Sequence, residues 1–409
     1  MPENIAPARA LEGVRVLDLS RVLAGPWATQ LMADLGADVI KVERPGTGDD
    51  TRGWGPPWFS TEGGSKEAAY FTCANRGKRS LAVDISDAEG AAFVASLADE
   101  ADVLVENFKV GALARYGLDY ATLSARNPRL VYCSISGFGQ DGPCASLPGY
   151  DFIIQAMGGL MSLTGEPDGP PMKAGVALTD ILTGLYACNG VLAALHQRAN
   201  TGRGQWVETS LLDVQVAALA NQAAGYLAEG RDPRRHGNAH PSIVPYQAFE
   251  TSTRTIALAV GNDAQFRQLC TLLGREDLGR DPAYATNAGR VARRDTLIPT
   301  LQAELLNRTA EEWIAALRAA GIPAGAVNTI GDVFADPHVQ AREIRKEMPH
   351  AALGAVPGVA CPVRLSASPP RDDLGPPVLD EHGATIRALG WGARSRPASE
   401  SEESVQPQP

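Results

Sequence analysis

The chain has 409 residues, of which 44% are hydrophobic and 21% charged, as is usual for a soluble globular protein with room for two domains and a sizeable core. Its formal net charge of −10 argues against nucleic acid or an anionic membrane as the main partner. No uninterrupted apolar run reaches transmembrane length, and Met1–Ala10 lacks the apolar core of a secretory signal, so we expect a cytoplasmic protein. The six cysteines are scattered without a Cys-x-x-Cys pair, which predicts reduced thiols and no metal site.

Strands and helices alternate in about the first 140 residues. Val14–Leu19 and Asp38–Val42 are typical of strands, and between them Pro26 favours the first turn of a helix that Gly36 ends. The other elements predicted here are strands at Ser80–Ile85, Asp102–Val105 and Leu130–Ile135, and a helix to about Ala98 that begins at the capping box Ser86–Glu89. This order predicts an α/β fold whose large, Rossmann-like domain has an open, parallel, doubly wound sheet.

Two connections of this domain bear on ligand binding. The turn after the first strand, Ser20–Pro26, lacks Gly-x-Gly-x-x-Gly, so a dinucleotide is not favoured. The connection Arg44–Arg79 is irregular and, at about 35 residues, long enough to be functional. Arg44 follows the end of a strand, where open α/β sheets bind ligands, and an arginine fork is suited to phosphate; the alternative is a solvated, charged loop.

The segment Gly175–Gly184 places one carboxylate, Asp180, between a Pro/Gly-rich loop, Gly165–Pro171, and an apolar stretch, Ile181–Leu195. One interpretation is that Asp180 is the N-cap of a helix. The other is that Asp180 is a covalent nucleophile, kept ionised by the helix N-terminus. The local pattern leaves both open.

The rest of the chain changes character after residue 230. The elements predicted there and just before it are strands at Trp206–Glu208, Tyr246–Glu250 and Thr255–Val260, helices at Leu211–Leu227, Ala264–Leu273, Arg293–Leu306 and Glu311–Ala320 with a capping box at Thr309–Glu312, and strand-like segments at Ala324–Val327 and Pro357–Leu365 that return to the large domain. We therefore predict a large domain over residues 1–229 and 326–393, a smaller α+β domain over residues 230–325, and a disordered tail over residues 394–409.

Nine stretches, spread over most of the chain, form one pattern. They are Gly13–Leu19, Ala24–Pro26, Gly36–Gly46, Gly48–Arg52, Asn75–Ser80, Val105–Phe108, Gly137–Gly139, Gly175–Gly184 and Thr201–Gln205. From about residue 11 to residue 390 the chain resembles the class III CoA-transferases, the group that includes formyl-CoA transferase and the carnitine CoA-transferases. The resemblance implies an interlocked homodimer in which each subunit is an open ring threaded through the other.

The resemblance also implies a mechanism, in which an aspartate attacks an acyl-CoA thioester and forms a mixed anhydride. CoA then forms an aspartyl-CoA thioester, and an acceptor carboxylate takes the CoA from it. Asp180 matches this aspartate. CoA is thus a substrate, and no permanently bound cofactor is implied.

The family's CoA contacts correspond to seven positions of this sequence. They are Ala24 near the nucleotide, Arg44 at the ribose phosphate, Val83 (with the residues to Ser86) at the adenine, Asn107 and Phe108 along the pantetheine and adenine, Arg115 at a further phosphate, and Tyr150 at the thiol end. For Val83, Phe108 and Tyr150 a plain core role is the alternative.

Related α-methylacyl-CoA racemases share the fold and move a proton at the α-carbon. Their pattern has a histidine where this sequence has Tyr150, and tyrosine is a poor base near neutral pH. This difference favours CoA transfer, although Asp151 remains as a candidate base.

The acceptor is indicated by residues 235–249, which lack the glycine run of formyl-CoA transferases and so disfavour formyl-CoA/oxalate exchange. The segment most resembles the succinyl-CoA-dependent dicarboxylate transferases, whose acceptors include glutarate and hydroxymethylglutarate. The candidate cations for the free carboxylate are Arg52, His236 and His240, with Arg234 and Arg235 beside them. The alternative for these basic residues is a solvated turn without a ligand. The alternatives for the function of the protein are a racemase-like enzyme and a CoA-binding regulator without turnover.

Overall fold

The computed structural model describes residues 9–392; the tail predicted to be disordered, residues 394–409, lies outside the described residues. The described chain forms two compact units. The larger unit contains residues 9–159, 174–223 and 338–392, and the smaller unit contains residues 160–173 and 224–337. The larger unit is therefore built from both ends of the chain, and residues 160–173 belong to the smaller unit.

The strands and helices of residues 9–392 follow in chain order. The strands are β1 (Arg15–Asp18), β2 (Asp38–Glu43), β3 (Trp58–Ser60), β4 (Lys66–Ala68), β5 (Lys78–Ala82), β6 (Val103–Glu106), β7 (Val131–Ser136), β8 (Trp206–Ser210), β9 (Tyr246–Phe249), β10 (Ile256–Ala259), β11 (Ala324–Ala326), β12 (Arg345–His350) and β13 (Gly354–Val359). The α-helices are α1 (Ala24–Asp34), α2 (Ala69–Thr72), α3 (Ala88–Asp99), α4 (Tyr120–Arg126), α5 (Asp151–Met157), α6 (Leu160–Leu163), α7 (Leu178–Thr201), α8 (Leu211–Ala218), α9 (Ala220–Glu229), α10 (Asp263–Leu272), α11 (Glu276–Arg280), α12 (Asn287–Ala292), α13 (Arg294–Leu305), α14 (Ala310–Ala319), α15 (Ile330–Ala335), α16 (Pro337–Ala341) and α17 (Gly383–Leu389). Short 3₁₀ helices lie at Asp50–Gly53, Ala114–Tyr116, Pro282–Tyr284 and Gly390–Gly392.

The larger unit is organised around a six-stranded parallel sheet in the order β5-β2-β1-β6-β7-β8. In this register Val16 of β1 lies beside Val39 of β2 and Val103 of β6. The parallel sheet predicted from the sequence is confirmed. Strand order reverses between β1 and β6, and in such sheets ligands bind beyond the carboxyl ends of the strands at this switch point.

Both faces of the sheet are covered, so the apolar side chains of its central strands are buried on either side. Val16 and Val39 point to the face that carries α1 and α7, whereas Leu17 and Ile40 point to the face that carries α3. All four side chains are buried, with at most 1% of their surface exposed. Alternate residues of one strand thus stabilise two separate cores.

Helix α7 is long and closely packed. Gly184 allows this packing, because a Cβ atom there would lie 2.6 Å from the carbonyl oxygen of Ala24 in α1. Within residues 9–392, α7 alone has the length and mean hydropathy (1.4) of a candidate membrane span. Its Ala187 and Val191 are buried in the core of the larger unit, and its Arg198 pairs with Asp102 at 2.8 Å, so α7 serves as a core helix.

Three local expectations were wrong. The helix predicted from Ser86 starts after Asp87, whose carboxylate accepts from the N–H groups of residues 89 and 90, so there is no capping box. The helix predicted over Leu211–Leu227 is two helices, α8 and α9, because Ala220 adopts a positive φ of 46°. The connection Arg44–Arg79 is not irregular throughout, since it contains β3, β4, α2 and a 3₁₀ turn.

The smaller unit has an antiparallel sheet in the order β11-β10-β9, with Ile256 of β10 beside Phe249 and Ala326. The pairing of β11 with β10 corrects the expectation that Ala324–Val327 returns to the large domain. Helices α10, α13 and α14 supply the core of this unit, and the capping box at Thr309–Glu312 is confirmed. In the larger unit, β13 pairs with β12, so part of the predicted segment Pro357–Leu365 forms a two-stranded sheet.

Candidate active site

Two cavities lie beyond the carboxyl ends of the parallel strands. The first, of about 320 Å³, is bordered by residues that follow β1, β2, β5 and β6, and it includes the predicted Arg44, Val83, Phe108 and Arg115. The second, of about 230 Å³, is bordered by residues that follow β1, β6, β7 and β8. The predicted residues in the second cavity are Ala24, Asn107, Phe108, Tyr150 and Asp180. The fold thus brings all seven predicted CoA contacts and Asp180 to one edge of the sheet, with Ala24 in the cavity of Asp180 and not in that of Arg44.

The loop between β1 and α1 separates these cavities, and side chains from two other loops hold it. Val22 has a φ of 71°, a strained conformation for a β-branched residue, and its N–H donates to the Asp49 carboxylate at 3.2 Å. The Asn107 amide accepts from the Arg21 N–H at 2.9 Å and donates to the Arg21 carbonyl at 2.7 Å. Both polar atoms of the Asn107 amide are therefore hydrogen-bonded to the loop, and these bonds fix the loop's backbone.

Buried ion pairs lie beneath the same loop. The Lys41 ammonium donates to Asp49 at 2.8 Å and to the Ser20 carbonyl at 2.9 Å, and Lys78 donates to Asp18 at 3.0 Å and to the Pro26 carbonyl at 2.9 Å. These four charged side chains are fully buried. Burial alone would raise the pKa of Asp49, but Lys41 and the hydrogen bonds from Thr51 outweigh it and lower the pKa to about 2.

Asp180 lies in a different electrostatic environment. Helix α7 begins after Ala177, so Asp180 is the third helical residue and not the predicted N-cap. Burial, and then the negative charge of Asp151, raise the pKa of Asp180 from 3.8 to about 7. Among the described residues, no side chain donates a hydrogen bond to its carboxylate. The expectation that the helix N-terminus keeps Asp180 ionised is therefore incomplete, because burial and a like charge outweigh the helix.

Asp151, the first residue of α5, caps the N-terminus of α7, which is the role that one interpretation of the sequence gave to Asp180. Its carboxylate accepts from the Thr179 N–H at 2.9 Å and from the Asp180 N–H at 3.3 Å, and it also accepts from Gln155 at 2.7 Å. The start of α7 is thus capped by a neighbouring helix. This cap fixes the backbone that carries Asp180.

Sequence reasoning missed two aromatic residues near these carboxylates. Burial, and then the charge of Asp180, raise the pKa of Tyr70 to about 12, which places its phenol within electrostatic reach of the predicted nucleophile. The ring of Trp54 meets that of Tyr70 edge-on at 5.1 Å. Both residues lie in the long connection after β2, so its aromatic content was the available signal.

The candidate acceptor residues have local partners of their own. The Arg52 guanidinium bonds to Glu43 at 2.7 and 2.8 Å and to Glu67 at 3.2 Å, and it lies 3.6 Å from the centroid of the Phe71 ring. Its side chain is 9% exposed. Arg52 is therefore part of an internal ion-pair network, which removes it from the acceptor hypothesis.

His236 and His240 belong to the smaller unit. The Nδ1 atom of His236 lies 3.5 Å from Arg294, and burial followed by the charge of Arg294 lowers the pKa of His236. The Nδ1 atom of His240 accepts from the Ser242 N–H at 3.0 Å, and its ring is 5.3 Å from that of Tyr246. Both histidines stay predictions for the acceptor.

The cysteines were predicted to be reduced thiols without a metal site. All six cysteines are free thiols, of which Cys133, Cys188 and Cys270 are buried. Within residues 9–392, no group of three or more His, Cys, Asp or Glu side chains is placed to hold a metal ion.

Comparison with known proteins gives a consistent result. The family model described as CoA-transferase family III matches residues 11–383. The chain is 49% identical over 389 residues to a succinate–glutarate CoA-transferase of Agrobacterium fabrum, covering 95% of this chain and 96% of that protein. It is 43% identical over 385 residues to the human succinyl-CoA:glutarate CoA-transferase, covering 94% and 86%. A crystal structure of a CAIB/BAIF family protein from Brucella suis is 50% identical, with a TM-score of 0.84 and coverage of 93% and 99%. The chain therefore belongs to CoA-transferase family III.

Proposed function

We propose that the protein transfers CoA from succinyl-CoA to a dicarboxylate such as glutarate or hydroxymethylglutarate, with Asp180 as the nucleophile. The observation that carries the proposal is the position of Asp180 on a cavity that adjoins the cavity of Arg44 and Arg115. A nucleotide held by these arginines leaves its thioester arm free to reach the carboxylate. The names of the Agrobacterium and human relatives supply the donor and the acceptor.

The proposed reaction needs no external oxidant or reductant. An Asp180 oxygen attacks the thioester carbon, the carbon–sulfur bond breaks, and CoA leaves as a thiolate from a succinyl-aspartyl anhydride. The thiolate attacks the aspartyl carbon and releases succinate, which leaves an aspartyl-CoA thioester. The acceptor carboxylate attacks this thioester, and the thiolate then attacks the acceptor carbon of the new anhydride. Asp180 is regenerated as a carboxylate.

The environment of Asp180 supports this role. A carboxyl group with a pKa of about 7 is more basic than an ordinary aspartate, and it is half ionised at neutral pH. The absence of a paired cation among the described residues leaves its oxygens free to form a covalent bond. Asp151 meanwhile fixes the start of α7 through the N–H groups of Thr179 and Asp180.

The racemase alternative finds less support. Proton transfer at an α-carbon needs an acid and a base on opposite faces of that carbon. The Asp151 carboxylate is already occupied by two backbone N–H groups and by Gln155, and Tyr150 is a weak base. CoA transfer uses the Asp180 carboxylate alone.

The interlocked homodimer expected from the resemblance is part of the proposal. Helices α5 and α7 expose large apolar side chains: Phe152 is 54% exposed, Met157 56% and Tyr186 52%. Such side chains are typical of a surface that a partner subunit covers. The free thiols favour a reducing compartment, and we place the enzyme in the cytoplasm.

A panel assay tests the proposed function. Succinyl-CoA is mixed with the protein and, in turn, glutarate, hydroxymethylglutarate, adipate, oxalate or formate, and new thioesters are measured by mass spectrometry. We expect glutaryl-CoA and hydroxymethylglutaryl-CoA to form fastest. Asp180→Asn should lower kcat at least about 1,000-fold while CoA still binds, and Asp99→Asn, which alters an exposed carboxylate, should leave kcat unchanged.

Other results would overturn specific parts of the proposal. Full activity of Asp180→Asn would remove the nucleophile. Preference for oxalate or formate would replace the acceptor class. Exchange of an α-proton in deuterated water without CoA transfer would favour the racemase.

A further inference from the structure

Arg21 lies on the wall between the two cavities. Arg21 and Phe108 are the two residues that border both. Of these two cavities, Arg44 and Arg115 border only the first, and Lys109 borders only the second, although Lys109 also borders a third cavity. A ligand that extends from one cavity into the other must therefore pass the Arg21 guanidinium.

The side chain of Arg21 starts from a fixed point. Its backbone N–H and carbonyl are both bonded to the Asn107 amide. Its guanidinium lies 5.3 Å from the centroid of the Phe108 ring, within the range of a cation–π contact. The cation is thus held against the dividing wall by two loops of the sheet edge.

One edge of the guanidinium is bonded to a carboxylate, and the other edge has no acceptor among the described residues. The Nη1 atom donates to the Asp50 carboxylate at 3.1 Å. The Nε atom is buried, and among the described residues neither Nε nor Nη2 has a hydrogen-bond acceptor. The Nε–Nη2 edge presents two parallel N–H donors, the geometry that binds phosphate oxygens in pairs. A buried donor without an acceptor is costly, so a ligand that supplies the acceptor is favoured.

We propose that Arg21 binds the diphosphate of CoA where the molecule crosses from the first cavity to the second. This inference rests on the proposed function, since it takes CoA as the ligand. The diphosphate joins the adenosine to the pantetheine arm, so it lies between the nucleotide near Arg44 and the thioester near Asp180. Arg21 is the cation that the structure places at this midpoint. Asp50 keeps the guanidinium oriented through the edge that the diphosphate does not need.

A ligand series separates this role from a purely structural one. CoA, 3′-dephospho-CoA and pantetheine are titrated calorimetrically into the unaltered protein, Arg21→Gln and Arg44→Gln. Arg21→Gln should weaken CoA and 3′-dephospho-CoA by the same factor, about tenfold to a hundredfold, because both contain the diphosphate. Turnover of succinyl-pantetheine, which has no phosphate, should keep its kcat/KM. Arg44→Gln should weaken CoA more than 3′-dephospho-CoA.

The outcomes are distinct. Equal losses of CoA binding and of succinyl-pantetheine turnover in Arg21→Gln would show that Arg21 only braces Phe108 and the loop, and would overturn the inference. Unchanged CoA affinity would overturn it as well. Arg21→Lys, which keeps the charge but not the two-donor edge, should bind CoA with intermediate affinity, and its melting temperature reports whether the fold is intact. Failure of the unaltered protein to bind CoA would overturn the proposed function itself.

Discussion

Asp49 is a buried carboxylate and Asp180 a half-buried one, and they lie beside adjoining cavities, yet their pKa values move in opposite directions. Lys41 lies 2.8 Å from Asp49, and the pKa of Asp49 falls to about 2. Asp180 has a second carboxylate, Asp151, as its charged neighbour, and its pKa rises to about 7. Burial raises the pKa in both cases, so the difference comes from the sign of the neighbouring charge and from the hydrogen bonds that Asp49 accepts from Lys41 and Thr51.

The region around Asp49 and the region around Asp180 have different roles. The ion pairs around Asp49 connect two buried lysines to the backbone, one to the carbonyl of Ser20 in the loop before α1 and the other to the carbonyl of Pro26 in the first turn of α1. Every charge there has a partner, and the result is a fixed cavity wall. Asp180 has a fixed backbone, and its side chain has no partner cation within residues 9–392. A paired charge is suited to holding structure, and an unpaired, basic carboxylate is suited to attacking a thioester.

The largest expected effect comes from breaking the paired region. Lys78→Met removes the ammonium that Asp18 meets at 3.0 Å and leaves a carboxylate buried with one cation fewer. The free energy of unfolding in urea should fall by about 3–5 kcal/mol. The control is Arg126→Met, which breaks an exposed pair with Asp99 and should cost less than about 1 kcal/mol. Similar losses in the two variants would contradict a structural role for the buried network.

Much of the large unit followed from sequence, because its strands carry local signals. Short segments rich in valine, isoleucine and tyrosine, such as β2 and β7, predict strands without knowledge of their neighbours. The strand β11 is three residues long, Ala-Gly-Ala, and has no such signal. Its place in the smaller unit is decided by pairing with β10, far away in the chain.

In the candidate site too, some residues could be identified from local sequence, whereas others depend on partners that are distant in the chain. Asp180 was found from its segment and from the family pattern. The cap on α7 was not, because Asp151 lies 28 residues before the Thr179 N–H that it accepts from. Arg52 was predicted to bind the acceptor because the sequence shows its positive charge. The sequence does not show that Arg52 pairs with Glu43 and Glu67 in the folded protein. Arg21 became a candidate only when two cavities were seen to share it.

A smaller effect is expected from removing each carboxylate in turn. The pKa of Asp180 is higher in the folded state than its ordinary value of 3.8, so ionisation destabilises the fold as pH rises from about 4 to 7. Asp180→Asn should raise the free energy of unfolding at pH 8 by up to about 4 kcal/mol and have little effect below pH 4. Calorimetric or urea unfolding at both pH values measures this difference.

Asp49→Asn should have the opposite sign. The pKa of Asp49 is lowered in the folded state, so its stabilising contribution is present above pH 4 and is lost as pH falls towards 2. The substitution should destabilise the protein at pH 8 by about 2–3 kcal/mol. A loss of stability in Asp180→Asn at pH 8 would contradict the contrast between the two sites.

The finest test changes the charge beside Asp180 and leaves its backbone in place. The Asp180 carboxylate must be ionised to attack, so kcat/KM for succinyl-CoA should rise with pH through a midpoint near 7. Asp151→Asn keeps an oxygen that accepts from the Thr179 N–H but removes the like charge, so the midpoint should move to lower pH. The move should be only part of the way to 3.8, because burial is the larger cause of the shift. Asp99→Asn, an exposed change in α3, should leave the profile unmoved. A midpoint that stays near 7 in Asp151→Asn would assign the raised pKa to burial alone, and the second carboxylate would then matter to α7 only as its cap.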